Sequence, residues 1–174
     1  MFNRLKSYWL DPEFNRKKQF LKQVPFFRNV PRREFGRLFQ ALAQRNYQAG
    51  DVLFKEGDVG RALFILEWGQ IEIARRIGPG KTQRIAVLGP GDYFGEVSLL
   101  DDQPRTASAT ALTPSRVYLL YKTELGTLLE GAPHAGAAIM AHLAEVLAAR
   151  LRSSMNRNRP AAAAGPEPLM EEVS

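Results

Sequence analysis

One short segment combines residue types that could hold a small anionic ligand. Within residues 91–108, Glu96 and Arg105 stand nine positions apart among small or flexible residues. Gly95 permits a ligand to approach the backbone, and a helical turn opening at Glu96 would present free N–H groups that favour an anion. Arg105 offers a planar fork that matches phosphate oxygens, with an attraction of about 4 kcal/mol at ~4 Å and an effective dielectric near 20, before the cost of desolvation. Because Glu96 would repel that phosphate, we expect it to accept a hydrogen bond from a sugar hydroxyl.

Other reactive side chains lack the partners that catalysis or metal binding requires. The chain has no cysteine, and His134 and His142 lie eight positions apart on a predicted helix without a third ligand nearby. Asp101 and Asp102 are adjacent acids with no accompanying nucleophile or base. We therefore predict no metal site, no cofactor and no enzymatic activity.

The candidate segment lies in a region whose pattern predicts short β-strands. From Tyr47 onward, glycines recur between runs rich in Val, Ile, Leu and Phe, and Ile71 and Ile73 alternate with other residues. Short strands separated by turn signals about every 8–12 residues are typical of an all-β sandwich or barrel. The sequence therefore predicts a mainly β fold.

Helical patterns flank this β region on both sides. Residues 31–42 place apolar side chains at the spacing of one buried helix face. A longer helix is predicted at 133–156, and its apolar stripe would either dock on the β domain or pair with a second copy as a homodimer. Residues 157–174 are predicted to form a flexible tail with no room for a helix-turn-helix pair.

Positive charge is concentrated at the start of the chain. Residues 1–37 hold ten Lys or Arg against three acids, whereas basic and acidic residues nearly balance in the remainder. Residues 1–17 are predicted to form a basic N-terminal extension that also carries aromatic side chains such as Trp9. This extension would either pack its aromatic side on the domain or meet an acidic partner, a nucleic acid or an anionic membrane surface.

Composition places the chain among globular proteins, with 45% hydrophobic and 24% charged residues. No apolar run approaches the roughly 18 residues that a membrane span requires, and no secretion signal opens the chain. The absence of cysteine fits a reducing compartment. We therefore expect a cytoplasmic protein with one domain at residues 18–156.

The candidate segment follows a recognisable order: Phe-Gly-Glu, a small residue, Leu, a variable stretch and then Arg-Thr-Ala. The residues concerned are Phe94, Gly95, Glu96, Ser98, Leu99, Arg105, Thr106 and Ala107. This pattern resembles the phosphate-binding cassette of cyclic nucleotide-binding domains, the ligand module of the catabolite activator family and of cyclic-nucleotide-dependent kinases and channels. The glycine pattern of residues 49–69 resembles the first hairpins of the same domains, so the resemblance covers about residues 18–155. It implies an eight-stranded double-stranded β-helix, or jelly-roll-type β-roll, with N-terminal helices and C-terminal lid helices.

The resemblance also implies a role for each residue of the segment. Glu96 would accept a hydrogen bond from the ribose 2′-hydroxyl, and Arg105 would neutralise the cyclic phosphate. The implied ligand-binding residues are Gly95, Glu96, Val97, Ser98, Arg105, Thr106 and Ala107. The candidate base and lid contacts are Arg150, Ser153 and Ser154.

These inferences predict a Crp-like sensor without a DNA-binding helix-turn-helix, which regulates a partner protein in trans by repositioning helix 133–156. Its predicted ligand is cAMP in preference to cGMP, although Thr106 occurs in relatives of either preference. One alternative is a ligand-free β-roll that binds proteins, in which Glu96 and Arg105 pair with each other. The other alternative, which we favour less, is a DNA-associated regulator that uses the basic N-terminus.

Overall fold

The structure is a computed structural model that describes residues 12–101 and 103–157. Residues 1–11 of the predicted extension and 158–174 of the predicted tail lie outside the described residues. The helices are α1 (Pro12–Gln23), a 3₁₀ turn (Pro25–Phe27), α2 (Phe35–Ala41), α3 (Val97–Leu100), α4 (Lys122–Gly131) and α5 (Pro133–Arg157). The strands are β1 (Leu42–Tyr47), β2 (Val52–Phe54), β3 (Ala62–Trp68), β4 (Ile71–Gly78), β5 (Lys81–Leu88), β6 (Tyr93–Phe94), β7 (Ser108–Ala111) and β8 (Ser115–Tyr121).

The strands of the described residues form two four-stranded antiparallel sheets. The strand order is β1-β8-β3-β6 in the first sheet and β2-β7-β4-β5 in the second. Helices precede the strands, follow them and, at α3, interrupt them. The predicted mainly β fold with flanking helices is confirmed.

The first sheet is covered on both faces. On β3, Leu63 and Ile65 belong to the hydrophobic cluster formed with the helices, whereas Phe64 and Leu66 belong to the cluster between the two sheets. Successive side chains of a strand point to opposite faces, so a strand covered twice reads as an uninterrupted apolar run. This sheet, packed on both faces, supports the candidate segment.

The boundary between α2 and the first strand differs from the sequence prediction. The apolar spacing continues the helix to Leu42, but Leu42 begins β1 and pairs with Leu120 of β8. Backbone hydrogen bonds from a strand far along the chain outweigh the local helical spacing. The predicted end of this helix was therefore wrong.

The final helix packs on the domain along only part of its length. Ile139 and Leu143 are fully buried, whereas Leu151 and Met155 are 62% and 63% exposed. Its first turn is capped by Glu34, whose carboxylate accepts the backbone N–H of Ala135 at 2.7 Å. The helix is thus anchored at its start and presents apolar side chains outward near its end.

Candidate functional site

Arg105 is buried and held in one orientation. Its Nη1 donates to the carbonyl oxygen of Gly95 at 3.0 Å, and its Nη2 donates to that of Ala62 at 2.8 Å. The guanidinium lies over the ring of Phe54, 4.2 Å from the ring centroid. Two main-chain acceptors and an aromatic face therefore fix the plane of the guanidinium.

The positive charge of Arg105 is shielded from water but not from neighbouring charges. Burial lowers the pKa of Arg105, whereas the negative charges of Glu96 and Asp58 act to raise it. An arginine remains protonated despite such a shift because its ordinary pKa lies far above neutrality. An anion placed beside this guanidinium would be attracted more strongly than at an exposed site.

Gly95 is required by the position of Arg105. Its φ is +74°, a conformation that favours glycine, and a Cβ there would collide with the guanidinium of Arg105. The same Cβ would lie 3.3 Å from the carbonyl oxygen of Ala62. The open backbone at Gly95 was predicted to admit a ligand, whereas in the structure the side chain that approaches it is Arg105.

Glu96 is the second buried charge of the segment, at 1% exposure. It immediately precedes α3, and its carboxylate pairs with Nη1 of Arg150 on α5. The side chain of Arg150 is 57% exposed. The direct ion pair between Glu96 and Arg105 that accompanied the ligand-free alternative is not formed, because Glu96 pairs with the final helix instead; the ligand-free alternative itself stays a prediction.

A second contact joins β6, the strand that leads into the candidate segment, to the final helix. The hydroxyl of Tyr93, on β6, lies 3.1 Å from Nε2 of His142 on α5. Phe26 packs edge-on against the same imidazole at a centroid distance of 5.1 Å. Burial and the nearby Glu96 raise the pKa of Tyr93, which keeps the phenol neutral near pH 7.

The two buried charges line one cavity of about 880 Å³. Small-molecule sites commonly have volumes of about 300–1,000 Å³. One side of the cavity is apolar and is formed by Ile73, Ile85 and Leu88 of β4 and β5. The predicted site residues that line it are Gly95, Glu96, Val97, Arg105, Thr106, Ala107, Arg150 and Ser153.

Two predicted residues cannot be placed at side-chain level. Ser98 is within α3 and Ser154 is within α5, but both side chains lie outside the described residues. Sequence reasoning also missed Phe54 and the carbonyl of Ala62, which orient Arg105. Neither carries a local signal, because both are more than forty positions from Arg105 along the chain.

A metal centre and a membrane span each place specific requirements on the described residues. In residues 12–101 and 103–157, no group of three or more His, Asp or Glu side chains is positioned to hold a metal ion. Within the same ranges, no helix combines the length and the apolar character that crossing a membrane requires.

The fold and the cavity together define a β-roll domain with a partly enclosed, charged site of ligand size. The sequence profile of the cyclic nucleotide-binding domain matches residues 44–131, half of the chain. The chain belongs to the cyclic nucleotide-binding domain family, a family of regulatory, non-catalytic domains.

Similar proteins support this assignment. The cAMP-dependent protein kinase regulatory subunit of Eremothecium gossypii is 39% identical over 110 residues, which are 63% of this chain and 23% of that protein. The cyclic AMP receptor protein of Thermus thermophilus is 33% identical over 135 residues, 77% of this chain and 60% of that protein. The crystal structure of the Thermus thermophilus catabolite activator protein is similar with a TM-score of 0.68 and 32% identity, covering 76% of this chain and 61% of that one. This chain therefore spans less than two thirds of each relative.

Proposed function

We propose that this chain binds a cyclic nucleotide, with the phosphate at Arg105 and the ribose at Glu96. The observation that carries the proposal is that a buried cation and a buried carboxylate line the same cavity. A cyclic nucleotide complements both groups, because its phosphate ring includes the 3′-oxygen and the 2′-hydroxyl is on the adjacent carbon. The anion and the hydroxyl donor are thus held at a fixed separation without rotatable bonds between them, which lowers the entropy lost on binding.

The remaining cavity residues fit the other parts of such a ligand. Backbone N–H groups near Gly95, Glu96 and Ala107 would help to cradle the phosphate. The apolar side formed by Ile73 and Leu88 would contact the purine, while Arg150 and Ser153 would meet it from the final helix. Buried charges at one end and apolar side chains at the other give the cavity the polarity of a nucleotide.

The proposed ligand is cAMP in preference to cGMP. The relatives named above are a cAMP-dependent kinase subunit and a cyclic AMP receptor protein. Thr106, exposed at the mouth of the cavity, could donate to the phosphate or contact the 2-amino group of guanine. Because cAMP and cGMP share the same ribose and cyclic phosphate, contacts other than Arg105 and Glu96 would set the purine preference. We expect this preference to change the affinity less than the loss of either charged residue.

Titration calorimetry with cAMP, cGMP and 5′-AMP tests the binding proposal. We expect cAMP to bind at one site per chain, cGMP to bind more weakly, and 5′-AMP to bind at least about tenfold more weakly than cAMP because its phosphate is not closed into a ring. The absence of heat with either cyclic nucleotide at about 1 mM would favour the ligand-free interaction module instead.

We further propose that the ligand acts on a partner in trans through α5. A ribose bound at Glu96 would compete with Arg150 for the same carboxylate and so would change the preferred position of the helix. Such a shift requires the ligand to bind more tightly when the helix is in one position than when it is in the other. The exposed Leu151 and Met155 would then present a different surface to a partner or to a second copy of the chain.

Spin labels can measure this displacement directly. The chain has no cysteine, so cysteines introduced at the exposed Arg45 on β1 and Arg152 on α5 would carry the labels. We expect the distribution of distances between the two labels to shift when cAMP saturates the protein. Identical distributions with and without ligand, in a sample shown to bind cAMP, would contradict the helix mechanism while leaving the binding proposal intact.

A further inference from the structure

A second cavity, of about 540 Å³, lies among the N-terminal helices and is not part of the nucleotide site. Its charged lining residues are Lys18, Lys22, Arg28 and Arg32, and its floor includes the buried Phe27 and Phe35. No acidic side chain lines it among the residues that the structure describes. We refer to this cavity as the basic cleft.

The basic residues around the cleft differ from their neighbours in what they contact. Lys17 donates to two main-chain carbonyls at 3.0 Å and 2.9 Å, and Arg37 donates to another, so these two charges stabilise the helical packing. Within the described part of the chain, no carboxylate lies at ion-pair distance from Lys22, Arg28 or Arg32. These three cations line the cleft without a carboxylate partner among the described residues.

Four positively charged side chains line one concave surface. Lys18 and Lys22 are four positions apart on α1 and both line the cleft, and like charges at this spacing repel each other. Arg28 and Arg32 add two further positive charges to the same concave surface. A concave surface lined by one sign of charge concentrates ions of the opposite sign.

The shape of the cleft distinguishes between anionic partners. A nucleic acid duplex presents its phosphates along a convex rod and binds cations that are spread over a broad face. In the basic cleft the cations line one concave space whose apolar lining includes the aromatic residues Phe27 and Phe35. A partner that fits both features carries negative charges on either side of an apolar side chain.

We propose that the basic cleft docks an acidic peptide segment of a partner protein, in which carboxylates flank one or two apolar side chains. The carboxylates pair with Lys22, Arg28 and Arg32, and the apolar side chain covers the floor at Phe27 and Phe35. This assignment does not depend on nucleotide binding. It gives the basic N-terminal helices, which the cyclic nucleotide site does not use, a role in partner recognition.

Fluorescence anisotropy with a labelled synthetic peptide, Glu-Glu-Leu-Glu-Phe-Glu, tests the proposal on the full chain at about 0.15 M salt. We expect the double charge reversal Lys22→Glu with Arg28→Glu to weaken peptide binding at least about tenfold. The matched control is Arg75→Glu with Lys81→Glu, which makes the same change of net charge at exposed positions on β4 and β5. This control is expected to retain nearly wild-type affinity, and a peptide with serine in place of both apolar residues is expected to bind more weakly.

Three outcomes would overturn the proposal. The first is that the wild-type chain does not bind the peptide. The second is that the cleft and control variants lose affinity equally, which would show that binding depends on net charge alone. The third is that a duplex DNA or an anionic phospholipid vesicle binds more tightly than the peptide and loses its binding in the cleft variant. Because the assay contains no cyclic nucleotide, failure here is distinguishable from failure of the proposed nucleotide site. Thermal unfolding of each variant verifies that the exposed substitutions leave the fold intact.

Discussion

Replacing Arg105 by lysine is expected to lower the affinity for cAMP by about a hundredfold or more, although the positive charge is kept. Hydrogen bonds to charged groups contribute about 1.5–3 kcal/mol each, so the loss of two hydrogen bonds to the phosphate accounts for this factor. In the structure the guanidinium donates at once to the carbonyls of Gly95 and Ala62 while it lies over Phe54. An ammonium has no planar fork and cannot satisfy both carbonyls and a phosphate in the same geometry.

Calorimetry on Arg105→Lys should be compared with Arg75→Lys. Arg75 is exposed on β4, so the control makes the same chemical change away from buried charges and should leave cAMP affinity unchanged. The buried ammonium of Arg105→Lys is also expected to lower the free energy of unfolding, and chemical denaturation provides that check. If Arg105→Lys binds cAMP as the wild type does, the phosphate is not held at this residue.

The parts of the fold that were predictable from sequence are those specified by local pattern. The continuous apolar run of β3 indicates a strand buried on both faces, and the alternation that begins at Ile71 and Ile73 falls in β4. The end of α2 was not predictable, since Leu42 becomes a strand residue only through its pairing with Leu120. Boundaries of this kind depend on contacts between distant segments, which the periodicity of one segment does not contain.

The candidate site also has a part that was predictable from sequence and a part that was not. Glu96 and Arg105 stand out in the sequence because they belong to one short loop with a distinctive order of small residues. Their partners do not stand out, because Arg150 is 54 positions from Glu96 and Ala62 is 43 positions from Arg105. Ala62 in particular acts through its carbonyl oxygen, which every residue possesses. The geometry that fixes Arg105 is therefore a property of the folded chain only.

Replacing Glu96 by glutamine is expected to abolish most of the discrimination between cAMP and 2′-deoxy-cAMP. In the proposed complex the 2′-hydroxyl donates to the buried carboxylate of Glu96, and a charge-assisted hydrogen bond of about 1.5–3 kcal/mol would make the deoxy ligand roughly ten- to a hundredfold weaker. Glutamine accepts a weaker hydrogen bond, so the ratio of the two affinities should fall towards one. Calorimetry on the wild type and Glu96→Gln with cAMP and 2′-deoxy-cAMP isolates the energy of the contact with the 2′-hydroxyl, in the manner of a double-mutant cycle.

The ratio of affinities is more informative than the affinity for cAMP itself. Removing the negative charge of Glu96 weakens the contact with the ribose, but it also removes a repulsion of the phosphate bound at Arg105. These two effects have opposite signs for either ligand. The repulsion is the same for cAMP and its deoxy analogue, so it cancels in the ratio and leaves the hydrogen bond to the 2′-hydroxyl.

Arg150→Gln provides the control that separates the ribose contact from the ion pair with α5. This change removes the partner of Glu96 and keeps its carboxylate, so the discrimination against 2′-deoxy-cAMP should persist. In the proposed mechanism Arg150 competes with the ribose and also contacts the purine, so its removal has two opposite effects on affinity; both are the same for the two ligands and cancel in the ratio. If Glu96→Gln discriminates as strongly as the wild type while Arg150→Gln does not, the ribose contacts the final helix rather than the cassette, and the orientation proposed for the nucleotide is wrong.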